Sequence, residues 1–503
     1  MKNLIEISKI VTKKKVRKIE IFDDHSLKHK NSKFNEFYEA LLANKFKNDR
    51  DAATFLYACS PTDDKYRQLK SRFRKRLLNT LFFLDVNLPN TSSYDRAYYS
   101  CNKDWTLVKI LLTNDATNTA AALAKQILTT ALKYKFADVI VNCSRILRRE
   151  AAKVEDDREY EVFDQHIKQF SNVLDAEIRS EELYQRVIMN YYKSKAKAED
   201  LKEKIDTYCD ALVGLSEMYD SPVILYNMYL VWTYRWEMLQ DYPDMISVCE
   251  QAEKYIQSNP IYYQGDKLAT FQLKKMSAYL HLRDFKQGKI NAEQCLTSFP
   301  EGSDTWFKFM EYYILLALHT DHHINAIAIF NQATNHSKFK KQSLEVKEKW
   351  KIFNAYINYI IESQGEENVV LAASKRKVFR IPRFINAPVL YPKDQRIFTL
   401  HMVVAQLLFL LEKKQYNQAV ERIERLKSYA NRQLKKEEFF RPIQFIRLLQ
   451  QLAKADFQLD NLSNIDKYYD RLIEVPFYYR GMINELEIIP YEKLWNYILS
   501  RLK

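Results

Sequence analysis

Glycine is what this 503-residue chain has least of: six in all, the first at Gly214. Strand-and-turn folds and α/β folds need many residues at positive φ, and glycine supplies them at least cost. A chain that runs to residue 214 without one reads as helices joined by short polar turns. The same scarcity removes whole classes of chemistry. A phosphate-cradling loop needs several glycines close together, so dinucleotide and nucleoside-triphosphate fingerprints are absent, as is a Gly-x-Ser-x-Gly elbow. Cysteine offers no site either. Cys59, Cys101, Cys143, Cys209, Cys249 and Cys295 include no Cys-x-x-Cys pair and no zinc-like cluster. Unpaired thiols at inward helical positions suit a reducing, cytoplasmic setting. No apolar run reaches the length of a membrane span, and the opening MKNLIEISKIVTKKK lacks the apolar core of a signal peptide. The apolar stretch Met402–Leu411 is short and closed by Glu412-Lys413-Lys414, which predicts a buried helix.

What the chain has is apolar content, aromatics and an uneven charge. Apolar residues make up 47%, enough for a large core, and charged residues 28%, enough for a solvated surface. There are 34 Tyr and 28 Phe, a supply of large side chains for packing between helices. Residues 1–80 carry 20 Lys and Arg against 10 Asp and Glu, so this stretch holds +10 of the net +14 and the rest of the chain is close to neutral. The basic character is N-terminal, which points to an acidic partner there.

Taken in order, residues 1–30 are basic and weakly patterned, with a short Val16–Phe22 run able to pair as a strand or simply pack. Residues 33–84 predict three helices. Phe34, Phe37, Tyr38, Leu41 and Leu42 form the apolar face of the first. Asn48-Asp49 caps the second, which runs from Asp51 to Cys59 before Ser60-Pro61, and Thr62-Asp63-Asp64 caps the third. That third helix has an apolar face of Tyr66, Leu69, Phe73, Leu77, Leu81 and Leu84, with Lys65, Arg67, Lys70, Arg72, Arg74, Lys75 and Arg76 over the rest. Three short helices ending in a basic one resemble a helix-turn-helix module, with Arg67, Lys70 and Arg74 the candidates for nucleic-acid phosphates. The competing reading is a solvated basic face on a helix that caps the helical array beyond it.

Residues 85–104 have a linker's composition. Helix resumes at Trp105, is Ala-rich from Thr117 to Ala131, and pairs with a helix from Phe136 to Arg149. Residues 150–207 predict two long helices breaking near Arg179-Ser180. Residues 371–397, with Pro382, Pro388 and Pro392 among five basic residues, predict an ordered extended connection. At the C-terminus Pro490 starts a last helix docked by Tyr491, Leu494, Trp495 and Ile498.

The segment YLHLRDFKQGKINAEQCLTSFP, residues 279–300, organises the remainder. Tyr279, Phe285, Gly288, Ala292, Cys295 and Pro300 stand at the spacing of an aromatic late in one helix, an aromatic in the turn, small residues where the second helix crosses the first, and a terminating proline. This resembles the tetratricopeptide repeat. Tyr242, Met245, Cys249 and Ala252 follow the same spacing, as do His323, Ala326, Phe330 and Ala333. So do Phe136, Val139, Cys143 and Ile146, and Tyr416, Ala419, Ile423 and Leu426, with Ile465, Tyr469 and Leu472 last. The turn residues Tyr242, Phe285 and His323 are spaced more widely than in that family, so the likeness is to divergent members. The C-terminal third is similar to long bacterial helical-repeat proteins that carry no assigned activity. The resemblance implies an all-α fold in which hairpins stack into an α-solenoid with a concave, partner-binding surface. On this basis the chain divides into a basic helical module (1–84), a linker (85–104), a helical-repeat array (105–370), the extended connection (371–397), and C-terminal hairpins with a capping helix (398–503).

Candidate chemistry is sparse. His319, Asp321, His322 and His323 include a one-turn histidine spacing usable by a metal, but they fall at a hairpin tip, where a polar turn explains them. Glu345-x-Lys347 and Asp63-Asp64-x-Tyr66 look like fragments of nuclease sites set in helical, charged contexts, without the converging strands such sites use. No cofactor, metal or catalytic residue is expected. The expected function is a non-enzymatic scaffold, or a subunit of a multi-protein assembly. It would bind a protein or peptide partner on its concave face, with Tyr234, Arg235 and Trp236 as anchors. The alternative is a nucleic-acid-binding regulator that uses the basic helix 62–77 while the array senses a partner.

Overall fold

The computed structural model describes residues 4, 32–43, 45–46, 48–80, 93–193, 198–263, 265–296, 299–364, 379–389, 391–392, 395–434, 438–463 and 465–502. Among these residues the regular structure is helical throughout, with 21 α-helices and no strand, and no helix is long and apolar enough to cross a membrane. The Val16–Phe22 run, Leu81 and Leu84 lie outside the described residues. The chain divides into two compact units, Met1–Asp175 and Ala176–Lys503. That division falls inside a helix, away from every boundary that composition suggests.

In the first unit, α1 (Lys33–Leu42), α2 (Asp49–Tyr57) and α3 (Asp64–Thr80) share one core. The caps of α2 and α3 are those the sequence predicts, and Ser32 caps α1. Ser32 Oγ accepts the Asn35 N–H, Asn48 Oδ1 accepts the Asp51 N–H, and Asp63 Oδ1 accepts the Lys65 N–H. Phe73 packs on Phe37 at 4.7 Å and on Phe34 at 4.9 Å, while Tyr66, Leu69 and Leu77 complete the buried face of α3. Then come α4 (Ser93–Thr113), α5 (Thr117–Tyr134), α6 (Ala137–Lys153) and the start of α7 (Asp157–Lys193).

Two expectations fail here. Residues 93–104 are not linker but the first half of α4. Their Asn, Ser and Asp look like turn composition, yet Tyr94, Ala97, Cys101, Trp105 and Val108 recur at helical spacing and pack into the core beside α5 and α6. Nor does α7 break near Arg179-Ser180. No glycine or proline interrupts it, and the Ser180 hydroxyl bonds back to the Glu177 carbonyl, so the helix absorbs the serine.

The second unit holds α8 (Ala198–Met218), α9 (Pro222–Leu239), α10 (Tyr242–Ser258), α11 (Gly265–Leu282), α12 (Phe285–Leu296), α13 (Asp304–His319), α14 (His323–Asn335) and α15 (Leu344–Gln364). The short α16 (Ile381–Ile385) precedes α17 (Arg396–Glu412), α18 (Tyr416–Gln433), α19 (Phe440–Lys454), α20 (Ile465–Glu474) and α21 (Tyr491–Leu502). From α8 to α15 each helix packs on the next, α15 packs on α17, and succession continues to α20; α21 closes on α17, α19 and α20. Tyr491, Leu494, Trp495 and Ile498 are its buried residues, as predicted. The connection before α17 is not extended throughout. Pro382 sits in the first turn of α16, and Phe379 and Phe384 pack on Phe409. Residues 371–378 lie outside the described residues.

One turn geometry recurs and needs no glycine. Asp115, Lys135 and Glu155 in the first unit, and Gln240, Arg283, Asp321 and Lys414 in the second, all have φ between 55° and 60°. After each, the next N–H bonds the carbonyl five residues back, for example Asp284 to Tyr279 at 3.1 Å and Gln415 to Leu410 at 2.9 Å, and a new helix starts at once. Tyr242, Phe285, His323 and Tyr416 are each the first residue of the new helix. Their partners at plus three, seven and ten are buried in all four helices. In α6 the first helical residue is Ala137, one later than Phe136, so the matching buried set is Ala137, Ile140, Ser144 and Leu147. Helix α5 carries the same set as Ala120, Ala124 and Ile127, hidden in the sequence by its many alanines. Before α20 the turn differs, with Asp456 and Phe457 both at positive φ.

Candidate functional site

Tyr234, Arg235 and Trp236 do not form one surface. Consecutive helical residues point about 100° apart, so three in a row cannot share a face. Tyr234 is buried with its ring 4.8 Å from Tyr191 and the Lys274 ammonium 4.2 Å above it. Arg235 Nε bonds Asp206 Oδ1 at 2.5 Å, and its guanidinium lies 4.1 Å over the Trp236 ring and 5.8 Å from Trp232. Of the three, Trp236 alone lines the neighbouring groove. It joins Trp232, Met228 and Tyr229 on α9, Val213 on α8 and Val248 on α10 to line a groove of about 470 Å³. The spacing of Met228, Trp232 and Trp236, one helical turn each, is the signal that a reading of three adjacent residues passes over. Glu217 and Asp244 stand exposed at the rim, and no cation lines the groove among the described residues.

Elsewhere in this unit one C-terminal segment packs over several helices. Residues 475–490, between α20 and α21, form a strap across α11, α13, α17 and α19. Its backbone is read by side chains of those helices. The Tyr479 N–H donates to His281 Nε2 at 3.0 Å; His319 Nε2 donates to the Glu487 carbonyl at 2.8 Å; His401 Nε2 donates to the Leu486 carbonyl at 2.7 Å. The Tyr479 hydroxyl bonds Glu311, which also takes Lys349 Nζ at 2.8 Å. Arg441 uses all five of its N–H donors: on both Glu487 oxygens, on Glu492, and on the carbonyls of Leu472 and Val475. Loss of hydration drives the three histidines toward neutrality, His281 and His401 to about 4 and His319 to about 3. Tyr479, Leu486, Ile488 and Ile489 are fully buried. Nothing in the sequence between Val475 and Pro490 distinguishes such a strap from a loop, because its partners lie far away along the chain.

On α3 the candidates for nucleic-acid contact separate. Lys70 Nζ is 2.6 Å from Asp49 Oδ1, which the Tyr66 hydroxyl also approaches at 2.7 Å. Burial works against ionisation of Asp49, but these bonds outweigh it and hold the carboxyl near 2. Lys70 therefore ties α3 to α2. Arg67 and Arg74 are exposed, as are Lys65, Arg72 and Lys75; Arg67 faces Asp64, also exposed, at 3.5 Å.

The histidines at the α13–α14 tip diverge. His319 turns to the strap, His322 stacks on Phe285 at 3.7 Å, and His323 Nε2 lies 3.4 Å from Asp321 Oδ1. Among the described residues no group of three or more His, Cys, Asp or Glu is placed to hold a metal ion. Glu345 is exposed at the start of α15, and the Tyr66 hydroxyl is spent on Asp49. No family model, no curated protein and no solved structure matches this chain.

Proposed function

We propose that this protein is a non-enzymatic interaction scaffold, or a subunit of a multi-protein assembly, in a reducing cytoplasmic setting. Its helical hairpins are tetratricopeptide-like and stack as an α-solenoid. The recurring turn and the buried residues at plus three, seven and ten support that reading. The partner surface is the α8–α9–α10 groove and not the faces under the strap. The observation that carries this is the half-buried pair Trp232 and Trp236 in a groove whose charged lining residues are the carboxylates Glu217 and Asp244. Tryptophans left half in water with an apolar floor are the usual anchors of an interface. The rim fits a partner segment that places a large apolar side chain beside Lys or Arg.

Selection of random displayed peptides on the whole protein tests this. Enriched peptides carry an apolar anchor with a basic neighbour. Trp232→Ala and Trp236→Ala each weaken them by about 30-fold, the size of a 2 kcal/mol hot spot. Enriched peptides indifferent to both substitutions, or none enriched, would sink the groove assignment.

A second reading rests on the exposed Lys65, Arg67, Arg72, Arg74 and Lys75 of α3. In it the module of α1–α3 holds nucleic-acid phosphates and the array binds the partner. Binding of duplex DNA or of RNA should then weaken steeply with salt, and Arg67→Glu with Arg74→Glu should reduce the salt slope by roughly one per lost contact. Wild-type protein that shows no salt-dependent binding rules it out.

A further inference from the structure

We infer that the strap, residues 475–490, is a releasable occupant of the faces it crosses, and that the His281–Tyr479 contact is an acid-sensitive latch holding its first half in place. The tautomer of His281 decides how the latch works. His281 Nδ1 lies 2.7 Å from the Ser277 carbonyl, an acceptor, so Nδ1 carries the proton. Nε2 then presents its lone pair, and the Tyr479 N–H donates into it. A second proton on the ring would set an N–H against an N–H and abolish the bond. His319 and His401 differ, because both donate to strap carbonyls through Nε2 and would still do so as imidazolium ions. Among the three strap histidines, His281 alone loses its bond to the strap on protonation.

The surroundings set how readily the ring takes a second proton, and Tyr479 is held in addition by its hydroxyl on Glu311. The His281 ring lies between Tyr242 of α10, stacked at 4.5 Å, and Phe477 of the strap at 5.4 Å, with Tyr478 at 6.0 Å. The charges that act on it are Glu237 on α9, which favours the protonated ring, and Lys274 on α11, which opposes it. Those two groups pair with each other, leaving desolvation as the larger influence. Arg441 fixes both ends of the strap, holding the Leu472 and Val475 carbonyls where it begins and the carboxylates of Glu487 and Glu492 where it ends. At the near end, beyond Tyr479, Arg480 bonds the Tyr191 carbonyl and Glu485 of the strap itself.

Linkage gives the sign. Latched, His281 stays neutral down to about 4; released into water it takes a proton near 6.5. Release therefore takes up a proton. The latch is at full strength above 6.5 and weakens as pH falls toward 4, by up to about tenfold per unit. Release would uncover Glu311, Lys349 and the strap-binding nitrogen of His281, a set able to hold another extended segment by its backbone.

Hydrogen exchange of the whole protein between pH 7 and 4.5, corrected for the intrinsic pH dependence of exchange, tests the latch. Protection of residues 477–482 should fall by up to about tenfold per unit below 6.5 while α17 stays protected. His281→Gln should remove that slope, and His319→Gln should keep it. Flat protection in the wild type overturns the inference. So does an equal slope in His281→Gln, which would place the response on a group other than His281, and so does loss of protection in α17 at the same pH, which is global unfolding.

Discussion

Gly288 and Gly214 are both helical glycines, and they differ in what stands in front of them. A Cβ at Gly288 would overlap Leu316 Cδ2 and lie 3.3 Å from Tyr279 Cβ, whereas nothing lies within 4 Å of one at Gly214. Leu316 is fully buried, so its side chain cannot retreat into solvent. Gly288 is thus the close crossing point of α12 with α11 and α13, the role its place in the 279–300 segment suggests. Gly288→Val should cost about 1–3 kcal/mol through overpacking. Gly214→Ala should gain up to about 1 kcal/mol, the ordinary helix-propensity difference. Chemical denaturation of the two variants checks the contrast. Equal effects would mean that α12 is not closely packed at that point. The same residue-scale logic makes the inward cysteines inert: Cys143, Cys249 and Cys295 are buried, and burial pushes each thiol up to about 12, far from the thiolate that chemistry needs.

At the scale of elements, the sequence is legible wherever a local device sets the boundary. Asn48, Asp63 and Pro490 mark helix starts because a cap or a missing N–H acts within a few residues. The hairpin units at Tyr242, Phe285, His323 and Tyr416 are legible because burial on one face imposes a 3.6-residue period. Legibility fails where two local signals compete. In 93–104 polar composition masks a clear apolar period. At Arg179-Ser180 a polar pair in a charged run suggests a break, but serine can bond back to its own helix. The Phe136 unit slips by one because Val139 and Cys143 are buried as well as Ile140 and Ser144, so burial alone does not fix its register. The candidate site is less legible still. Trp236 stands out in the sequence, but within a run of three adjacent residues, and its groove depends on α8 and α10, which no spacing along α9 reveals. The scarcity of glycine correctly implies helix, yet the hairpin turns use Asp, Lys, Glu, Gln and Arg in the left-handed region. Each costs of the order of 1 kcal/mol that a glycine would avoid.

At the scale of the second unit, closure depends on contacts that span more than 100 residues of sequence, and the strap concentrates them. His281, Glu311 and His319 meet residues 479–487 across that distance, and Arg441 gathers the end of α20, the strap and the start of α21 around one guanidinium. These contacts form last in any local account of folding, since each requires the intervening helices to be in place first. Arg441 carries the highest stake because it is buried and every donor is used. Arg441→Lys keeps the charge but replaces a planar five-donor fork with a three-donor point charge, leaving at least two of the five contacts unmade. The expected loss is about 2–6 kcal/mol, at roughly 1–3 kcal/mol for each buried acceptor left without a donor. It should fall unevenly. In hydrogen exchange under native conditions α20, the strap and α21 should lose protection together, while α8–α10, which lie outside the bonds of Arg441, should keep theirs. Uniform loss across the unit would instead make Arg441 one core contact among many, and would remove the reason to treat the C-terminal segment as a separable cover over α11–α19.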